Sequence, residues 1–239
     1  MLEARGVWFR YGQGPWVVED ADLELAQGEV VGLRGPSGCG KTTLARILAG
    51  YLMPHRGLVL VDGSPQPAWG VRPVQLIFQH PELAVDPRWR LAEVVGEAGP
   101  VDAALLDELS IARGWMDRYP NELSGGELQR IVVARALLSK ARYLVADEIS
   151  AMLDPITAAQ IWHVLLDRVR RGQIGVLAIS HDDGLLQAVA DRVVDISNPT
   201  RPRAAGSGGP TTARAGGSLP VSSTDAGNRQ ANSPPESFG

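Results

Sequence analysis

The segment from Gly35 to Thr42, hereafter the phosphate loop, has the residue types needed to surround a phosphate group. It fits the glycine-rich pattern that ends in Lys followed by Ser or Thr. Glycines let backbone N–H groups curl around phosphates, and a helix that begins near Lys41 would point its positive end at them. Lys41 would place its charge on the β- and γ-phosphates, and the Thr42 hydroxyl would bind Mg²⁺. The expected phosphate contacts are Gly35, Pro36, Ser37, Gly38, Cys39, Gly40, Lys41, Thr42 and Thr43.

An apolar run, Tyr143 to Ala146, leads into Asp147 and Glu148. A buried strand here would deliver the Asp147 carboxylate to Mg²⁺ at the edge of a sheet, where ligands bind. Glu148 would then be able to orient or deprotonate an attacking water molecule. The alternative is that Glu148 is a solvated acid at a strand end, and in that case nucleotide would bind without being hydrolysed.

A second candidate phosphate contact is Ser124-Gly125-Gly126, which precedes the helical pattern of Glu127 to Leu138. The amides of these three residues would form the N-terminus of that helix, and such an end attracts a γ-phosphate. Serine is also a common N-cap without any ligand. The triplet alone therefore leaves both interpretations open.

Composition narrows the class of protein. With 239 residues and 44% hydrophobic content, the chain can form one domain with a substantial core. The net charge of −4 and the lack of a Lys/Arg-rich block argue against a nucleic-acid partner. The N-terminus does not resemble a secretion signal, and no run of about 18 apolar residues occurs, so we expect a chain that is neither secreted nor membrane-spanning. The single cysteine, Cys39, cannot form an internal disulfide.

Short apolar runs alternate with helical patterns over residues 1–197, which is typical of an α/β fold. Val7, Phe9 and Tyr11 alternate like an edge strand, and Val30 to Leu33 is typical of a buried strand that leads into the phosphate loop. The next helix should end near Gly50. Further strands are expected at residues 58–61, 74–78, 143–147, 174–180 and 192–196.

Two other regions differ from this pattern. A mainly helical stretch with glycine and proline breaks suggests an inserted helical subdomain at about residues 85–135. Residues 198–239 are dominated by Gly, Pro, Ser, Ala and Thr, so we expect a disordered, low-complexity tail.

The string Leu123 to Arg130, placed between the phosphate loop and Asp147, resembles the signature of ABC-transporter ATPase subunits. The resemblance covers residues 1–197, and the tail lies outside it. It implies a P-loop NTPase fold of the ABC type that uses ATP and Mg²⁺. It also implies a dimer, in which ATP lies between the phosphate loop of one subunit and the signature of the other.

The resemblance assigns roles to single residues elsewhere. Tyr11 resembles the aromatic residue that stacks on adenine, and Gln79 resembles a glutamine that contacts Mg²⁺ and takes part in catalysis. His181 resembles the histidine that contacts the γ-phosphate. Asp154 resembles an aspartate that faces the partner's nucleotide, and Ala151 stands where the family usually has serine. Without the resemblance, Tyr11 could be a strand-end aromatic, Gln79 a surface amide and Asp154 a helix N-cap.

Residues 79–82, 86–89 and 147–155 are similar to those of the peptide, nickel and opine importer branch of the family. That similarity implies an ATPase bound at the cytoplasmic face of the cell membrane and powering uptake of a peptide, nickel or a metal chelate. The implied partners are transmembrane permeases, a second ATPase subunit (identical or related) and, indirectly, an extracytoplasmic solute-binding protein. No nucleic acid is expected among them.

A different class stays open: an ABC ATPase without a permease, acting as a soluble regulator or on nucleic acid or ribosomes. Members that act on DNA carry long coiled-coil insertions, whereas here no heptad run separates Lys41 from Ser124. A P-loop kinase would not explain the string Leu123 to Arg130.

Overall fold

The computed structural model describes residues 1–67, 70 and 72–196, so the predicted tail at 198–239 lies outside the described part. The strands in this part are β1 Leu2–Arg10, β2 Trp16–Leu25, β3 Val30–Arg34, β4 Arg56–Val61, β5 Ser64–Pro65, β6 Val74–Ile77, β7 Tyr143–Asp147, β8 Gly175–Ile179 and β9 Arg192–Asp195. The α-helices are α1 Lys41–Leu48, α2 Leu91–Gly96, α3 Ala103–Glu108, α4 Gly125–Leu138, α5 Pro155–Arg170 and α6 Asp183–Val189. Short 3-10 helices span Pro81–Ala84, Arg113–Trp115 and Pro120–Glu122.

A five-stranded parallel sheet carries most of the candidate site. Its strand order is β6-β7-β8-β3-β9. All residues of β7 and β8 are buried, which is why these strands appear in the sequence as unbroken apolar runs. Because the strands run in one direction, the segments that follow them share one edge of the sheet. Gly35, Gln79, Glu148 and His181 all lie in such segments.

Two apolar layers cover the two faces of this sheet. Side chains alternate along a strand, so Leu144 and Ala146 of β7 belong to one layer while Tyr143 and Val145 belong to the other. The first layer also contains buried residues of α2, α4 and α5. The second is built with α1, β1 and β2. Burial on both faces fixes the strands and hence the edge where the candidate residues lie.

A four-stranded antiparallel sheet, with strand order β2-β1-β4-β5, supports the second layer. The strand expected around Val7 and Phe9 is present as β1, and Tyr11 lies one residue beyond its end. The expectation of an edge strand is wrong, because β1 pairs with β2 on one side and with β4 on the other. The sequence did not predict β2. Its acidic residues interrupt the apolar pattern, because only part of the strand is buried.

Helices and short turns fill the chain between β6 and β7. Two of the α-helices, α2 and α3, have six residues each, whereas α4 has 14. The mainly helical pattern predicted for this stretch is confirmed, although three 3-10 turns interrupt it. In the part of the chain that the structure describes, no helix is long and apolar enough to span a membrane.

Candidate functional site

The phosphate loop lies between the end of β3 and the start of α1, as predicted. Gly40 is the N-cap of α1 and has a φ of 99°, a left-handed conformation that favours glycine. A Cβ atom built on Gly40 would lie 2.4 Å from the carbonyl oxygen of Val17 in β2. The antiparallel sheet therefore packs closely against the phosphate loop. Both the left-handed φ and the lack of space for a Cβ atom require glycine at position 40.

Lys41 is the first residue of α1 and is 7% exposed. Its Nζ donates hydrogen bonds to the carbonyl oxygens of Gly35 at 2.8 Å and Pro36 at 3.1 Å. An ammonium group has three N–H donors, so it can hold the loop and still donate to a phosphate. Its position at the N-terminus of α1 adds the positive end of the helix dipole to its own charge.

Thr42 and Asp147 meet at the edge of the sheet, as predicted. Asp147 ends β7 and is 4% exposed. Burial raises the pKa of the Asp147 carboxyl, and a hydrogen bond from the Thr42 hydroxyl opposes that rise. Nearby Lys41 and Arg46 lower the same pKa, whereas Glu148 raises it.

One hydroxyl and one carboxylate, already joined by a hydrogen bond, fit a Mg²⁺ site completed by phosphate oxygens and water. Within the described ranges, no group of three or more His, Cys, Asp or Glu side chains could hold a metal ion by itself. The donor set therefore suits an ion that arrives with a phosphate ligand, and Thr42 and Asp147 would be its protein contacts.

Glu148 and His181 also come together. The Nδ1 atom of His181 lies 3.3 Å from Oε2 of Glu148. Glu148 has a φ of 51°, so its backbone leaves the strand geometry of β7, and its N–H donates to the carbonyl oxygen of Ile179 at 3.0 Å. His181 follows β8, with a side chain that is 65% exposed. An acid and an imidazole thus lie side by side at the edge of the sheet.

A cleft of about 440 Å³ is lined by the first residues of the phosphate loop and by His181. Its lining residues are Arg34, Gly35, Pro36, Ser37, His181, Asp183 and Asp195. Arg34 was not singled out from the sequence, yet it lies 3.3 Å from Asp195 and 3.5 Å from Asp183. Since those acids lie on β9 and α6, their pairing with Arg34 became visible only with the fold.

Tyr11 lies beside the start of α1, where its hydroxyl is 3.3 Å from the Thr43 hydroxyl. The side chain is half exposed, and its ring packs edge-on against Phe9, whose ring in turn packs against His55. The predicted adenine contact and a predicted phosphate contact are therefore neighbours. No sequence pattern indicated the supporting role of His55, which comes from another part of the chain.

Gln79 is half-buried and lies two residues beyond the end of β6, at the same edge of the sheet as Glu148. The preceding residue, Phe78, accepts a hydrogen bond at 3.4 Å from Nε2 of Gln129 in α4. This bond joins the segment that carries Gln79 to the helix that follows Ser124.

Ser124 is the N-cap of α4. Its N–H donates to Oε2 of Glu127 at 2.8 Å, and its Oγ accepts from the Glu127 N–H at 3.4 Å. Hydrogen bonding to the Glu127 carboxylate by the N–H and the side chain of Ser124 lowers the pKa of Glu127. Ser124 and Gly125 are exposed. An N-cap that is exposed in this way can also present its helix end to a phosphate of another molecule.

Asp154 caps α5, with Oδ1 accepting from the N–H groups of Ile156 and Thr157 at 3.0 Å each. The hydrogen bonds from Thr157 and Ile156 lower the pKa of Asp154. In the described part of the chain, neither Asp154 nor Ser124 to Gly126 lines the cleft at the phosphate loop.

The family model described as "ABC transporter" matches residues 18–151. A "nickel import system ATP-binding protein NikE" of Staphylococcus aureus strain bovine RF122 / ET3-1 is 33% identical over 208 residues, which cover 81% of this chain and 85% of that protein. The protein of the same name in strain MRSA252 gives the same identity and coverage.

Solved structures agree on the fold. The dimeric bacterial ABC transporter cassette MJ0796 aligns with a TM-score of 0.71 at 23% identity. The alignment covers 82% of this chain and 94% of the MJ0796 chain. A second structure is cbiO1 from Clostridium perfringens, described as part of the ABC transporter complex cbiONQ. It has a TM-score of 0.67 at 22% identity, and the alignment covers 81% of this chain and 83% of cbiO1.

Proposed function

The chain belongs to the ABC transporter family, and on that premise we propose that it is the ATP-hydrolysing subunit of an importer for a small solute. It is an ABC ATPase. The observation that carries the proposal is the meeting of the phosphate loop, the Thr42–Asp147 pair and the Glu148–His181 pair at one edge of one sheet. The phosphate loop would bind phosphate, the Thr42–Asp147 pair would hold Mg²⁺ and the Glu148–His181 pair could accept and release a proton.

Each of these residues has a distinct task in the proposed reaction. Lys41 holds the β- and γ-phosphates, and Thr42 and Asp147 hold Mg²⁺, which when bound would neutralise charge on the phosphates. Glu148 orients the attacking water and accepts its proton. His181, 3.3 Å from Glu148, keeps that carboxylate in position and contacts the γ-phosphate. Gln79 contacts Mg²⁺ and the water from the end of β6, and Tyr11 stacks on adenine.

The complete site in this proposal needs two chains. Ser124 to Gly126 and Asp154 of one chain face the nucleotide on the phosphate loop of the other. Near Asp154, the apolar side chains of Met152 and Ile156 are 67% and 80% exposed. A second ATPase chain, identical or related, would cover them.

The transported solute would not touch this chain. The similarity to proteins named for nickel import favours nickel or a metal chelate over a peptide. The chain would bind at the cytoplasmic face of the membrane to permease subunits, and an extracytoplasmic solute-binding protein would act only through those permeases. Closure of the ATPase pair on ATP and its opening after hydrolysis would drive the permeases.

The test is a mild-detergent pull-down of the tagged full chain from native membranes, with mass spectrometry of the bound proteins. We expect two multispanning proteins, with or without a related ATPase. The Lys41→Ala variant serves as a control, because it should keep these partners while losing ATP. Recovery of only soluble, ribosomal or DNA-bound proteins would overturn the importer assignment in favour of an ABC ATPase without a permease.

A further inference from the structure

The first turns of α4 and α5 lie against each other. A Cβ atom built on Gly126 would lie 3.5 Å from Cδ2 of Leu153 and 3.7 Å from the Thr157 methyl carbon. Ser124 caps the first of these helices and Asp154 caps the second. The two residues proposed to face the partner's nucleotide are therefore carried by neighbouring helix ends.

Arg130 forms a specific bond between these helices. Its Nη2 donates to Oγ1 of Thr157 at 2.7 Å, and its Nη1 lies 3.4 Å from the carbonyl oxygen of Ser110. Thr157 is 6% exposed. The Nε atom of Arg130 is buried and has no hydrogen-bond partner among the described residues. At this buried Nε–H, water cannot replace a missing partner, so the hydrogen bonds of the two Nη atoms hold the guanidinium in place.

Thr157 continues the chain of bonds to Asp154. Its backbone N–H donates to Oδ1 of Asp154 at 3.0 Å. Thr157 thus bonds through its hydroxyl to the guanidinium of Arg130, on the helix that follows Ser124, and through its N–H to the carboxylate of Asp154. The cation on one side and the anion on the other both strengthen these bonds.

We propose that Arg130 and Thr157 are positioning residues that set Asp154 relative to Ser124, so that both fit the nucleotide held by a second ATPase chain. The inference rests on the proposed function, because it assumes that two chains form the site. Neither residue touches the reacting atoms. A 1 Å misplacement of groups that must meet a substrate together can lower the rate about 100-fold without weakening the binding of substrate by other groups.

Two matched substitutions at one position separate the bond from packing. Thr157→Val keeps the methyl group that faces Gly126 but removes the hydroxyl, whereas Thr157→Ser keeps the hydroxyl and removes the methyl. We would measure ATP affinity, kcat and the melting temperature of the full chain within its native assembly. We expect T157V to lower kcat at least about tenfold with ATP affinity within about twofold of the parent, and T157S to stay near the parent.

A second comparison uses Arg130. R130M should lower kcat about as much as T157V, and the double variant should be no slower than R130M alone, because both changes break one chain of bonds. R130K keeps the positive charge but loses the planar guanidinium with its several N–H donors. Its kcat should therefore lie between those of R130M and the parent. Arg135→Lys is the control on the same helix, where Arg135 instead donates to the Ala84 carbonyl.

Three results would overturn the inference. The first is a T157V variant that turns over ATP like the parent, and the second is an equal loss in T157V and T157S, which would point to packing. The third is additive losses in the double variant. A parent assembly without two ATPase chains would instead overturn the proposed function, and this inference with it.

Discussion

Lys41 and Glu148 lie at the same edge of the sheet, but we assign them to different steps of the proposed reaction. Lys41 is held in the phosphate loop by two carbonyl oxygens and acts through its charge. Glu148 approaches His181 and not the loop carbonyls. Loss of the first residue should therefore affect binding, and loss of the second should affect hydrolysis.

We expect Lys41→Ala to weaken ATP binding by about 10- to 100-fold, since a charged hydrogen bond contributes about 1.5–3 kcal/mol. Calorimetric titration with Mg-ATP measures this. Lys140→Asn is the matched control: Lys140 is exposed, lies after α4 and has a φ of 58°, which asparagine tolerates. Equal affinity in Lys41→Ala and the parent would contradict the assignment of Lys41.

The chemistry at the residue scale was largely predictable, because a fixed spacing encodes it. Glycines, Lys41 and Thr42 form one continuous pattern, and Asp147 ends an apolar run. The ion pairs and hydrogen bonds between side chains that are distant in sequence could not be predicted. Arg34 with Asp195, and Arg130 with Thr157, join segments far apart in sequence. No local pattern marks such pairs.

At the scale of elements, the capped helices and the buried strands followed from the sequence, whereas β2 did not. Ser124 and Asp154 precede the helices they cap, and both caps are present. Strand β2 lies partly exposed in the antiparallel sheet, so its side chains are mixed. Its importance lies in its backbone, because the Val17 carbonyl supports the phosphate loop beneath Gly40.

Gly40→Ala tests that support. Both the φ of 99° and the contact with Val17 should penalise a Cβ, so we expect a loss of about 2–4 kcal/mol in the free energy of unfolding, measured by urea denaturation. Gly63→Ala is the control, because Gly63 has a φ of 76° but no atom within 4 Å of a built Cβ. Its cost should be only the conformational one, about 1–2 kcal/mol. Equal losses would show that the contact with Val17 contributes nothing.

The cap of α5 predicts a pH dependence. The hydrogen bonds from Thr157 and Ile156 lower the pKa of Asp154 in the folded protein below its unfolded value of 3.8. A lowered acid pKa adds stability that is present above the unfolded pKa and is lost as the pH falls through the folded one. Asparagine caps about as well but does not titrate. Asp154→Asn should therefore lose less stability than the parent between pH 5 and pH 2.

Urea midpoints across that pH range measure the difference. Asp20→Asn, at an exposed acid of β2, controls for the removal of one negative charge. An identical loss of stability on acidification in Asp154→Asn and the parent would contradict the role of the ionised cap.

At the scale of the whole molecule, the parallel sheet and its two apolar layers position the proposed catalytic residues, and the N-termini of α4 and α5 form the surface that carries Ser124 and Asp154. Gly125 lies on that surface, and a Cβ built there meets no atom within 4 Å. A single chain should thus tolerate a side chain at Gly125, whereas a second chain closing on ATP should not.

Gly125→Gln should therefore keep or slightly raise stability, by about 0.5–1 kcal/mol, because glycine is unfavourable in a helix. It should at the same time lower kcat at least about tenfold. Gly96→Gln is the matched control, since Gly96 also lies in a helix with open space around its Cβ. Thermal unfolding and steady-state hydrolysis give the two readouts. Unchanged kcat in Gly125→Gln would argue against a second chain at this surface.

The most direct test of the whole account is native mass spectrometry of the tagged Glu148→Gln chain, purified with its partners from native membranes in Mg-ATP. Because hydrolysis should be slow in this variant while binding persists, we predict assemblies with two ATPase chains that retain ATP, and their separation in ADP. Assemblies with one ATPase chain, or hydrolysis as fast as in the parent, would contradict the claim that two chains close on ATP and that Glu148 drives its hydrolysis.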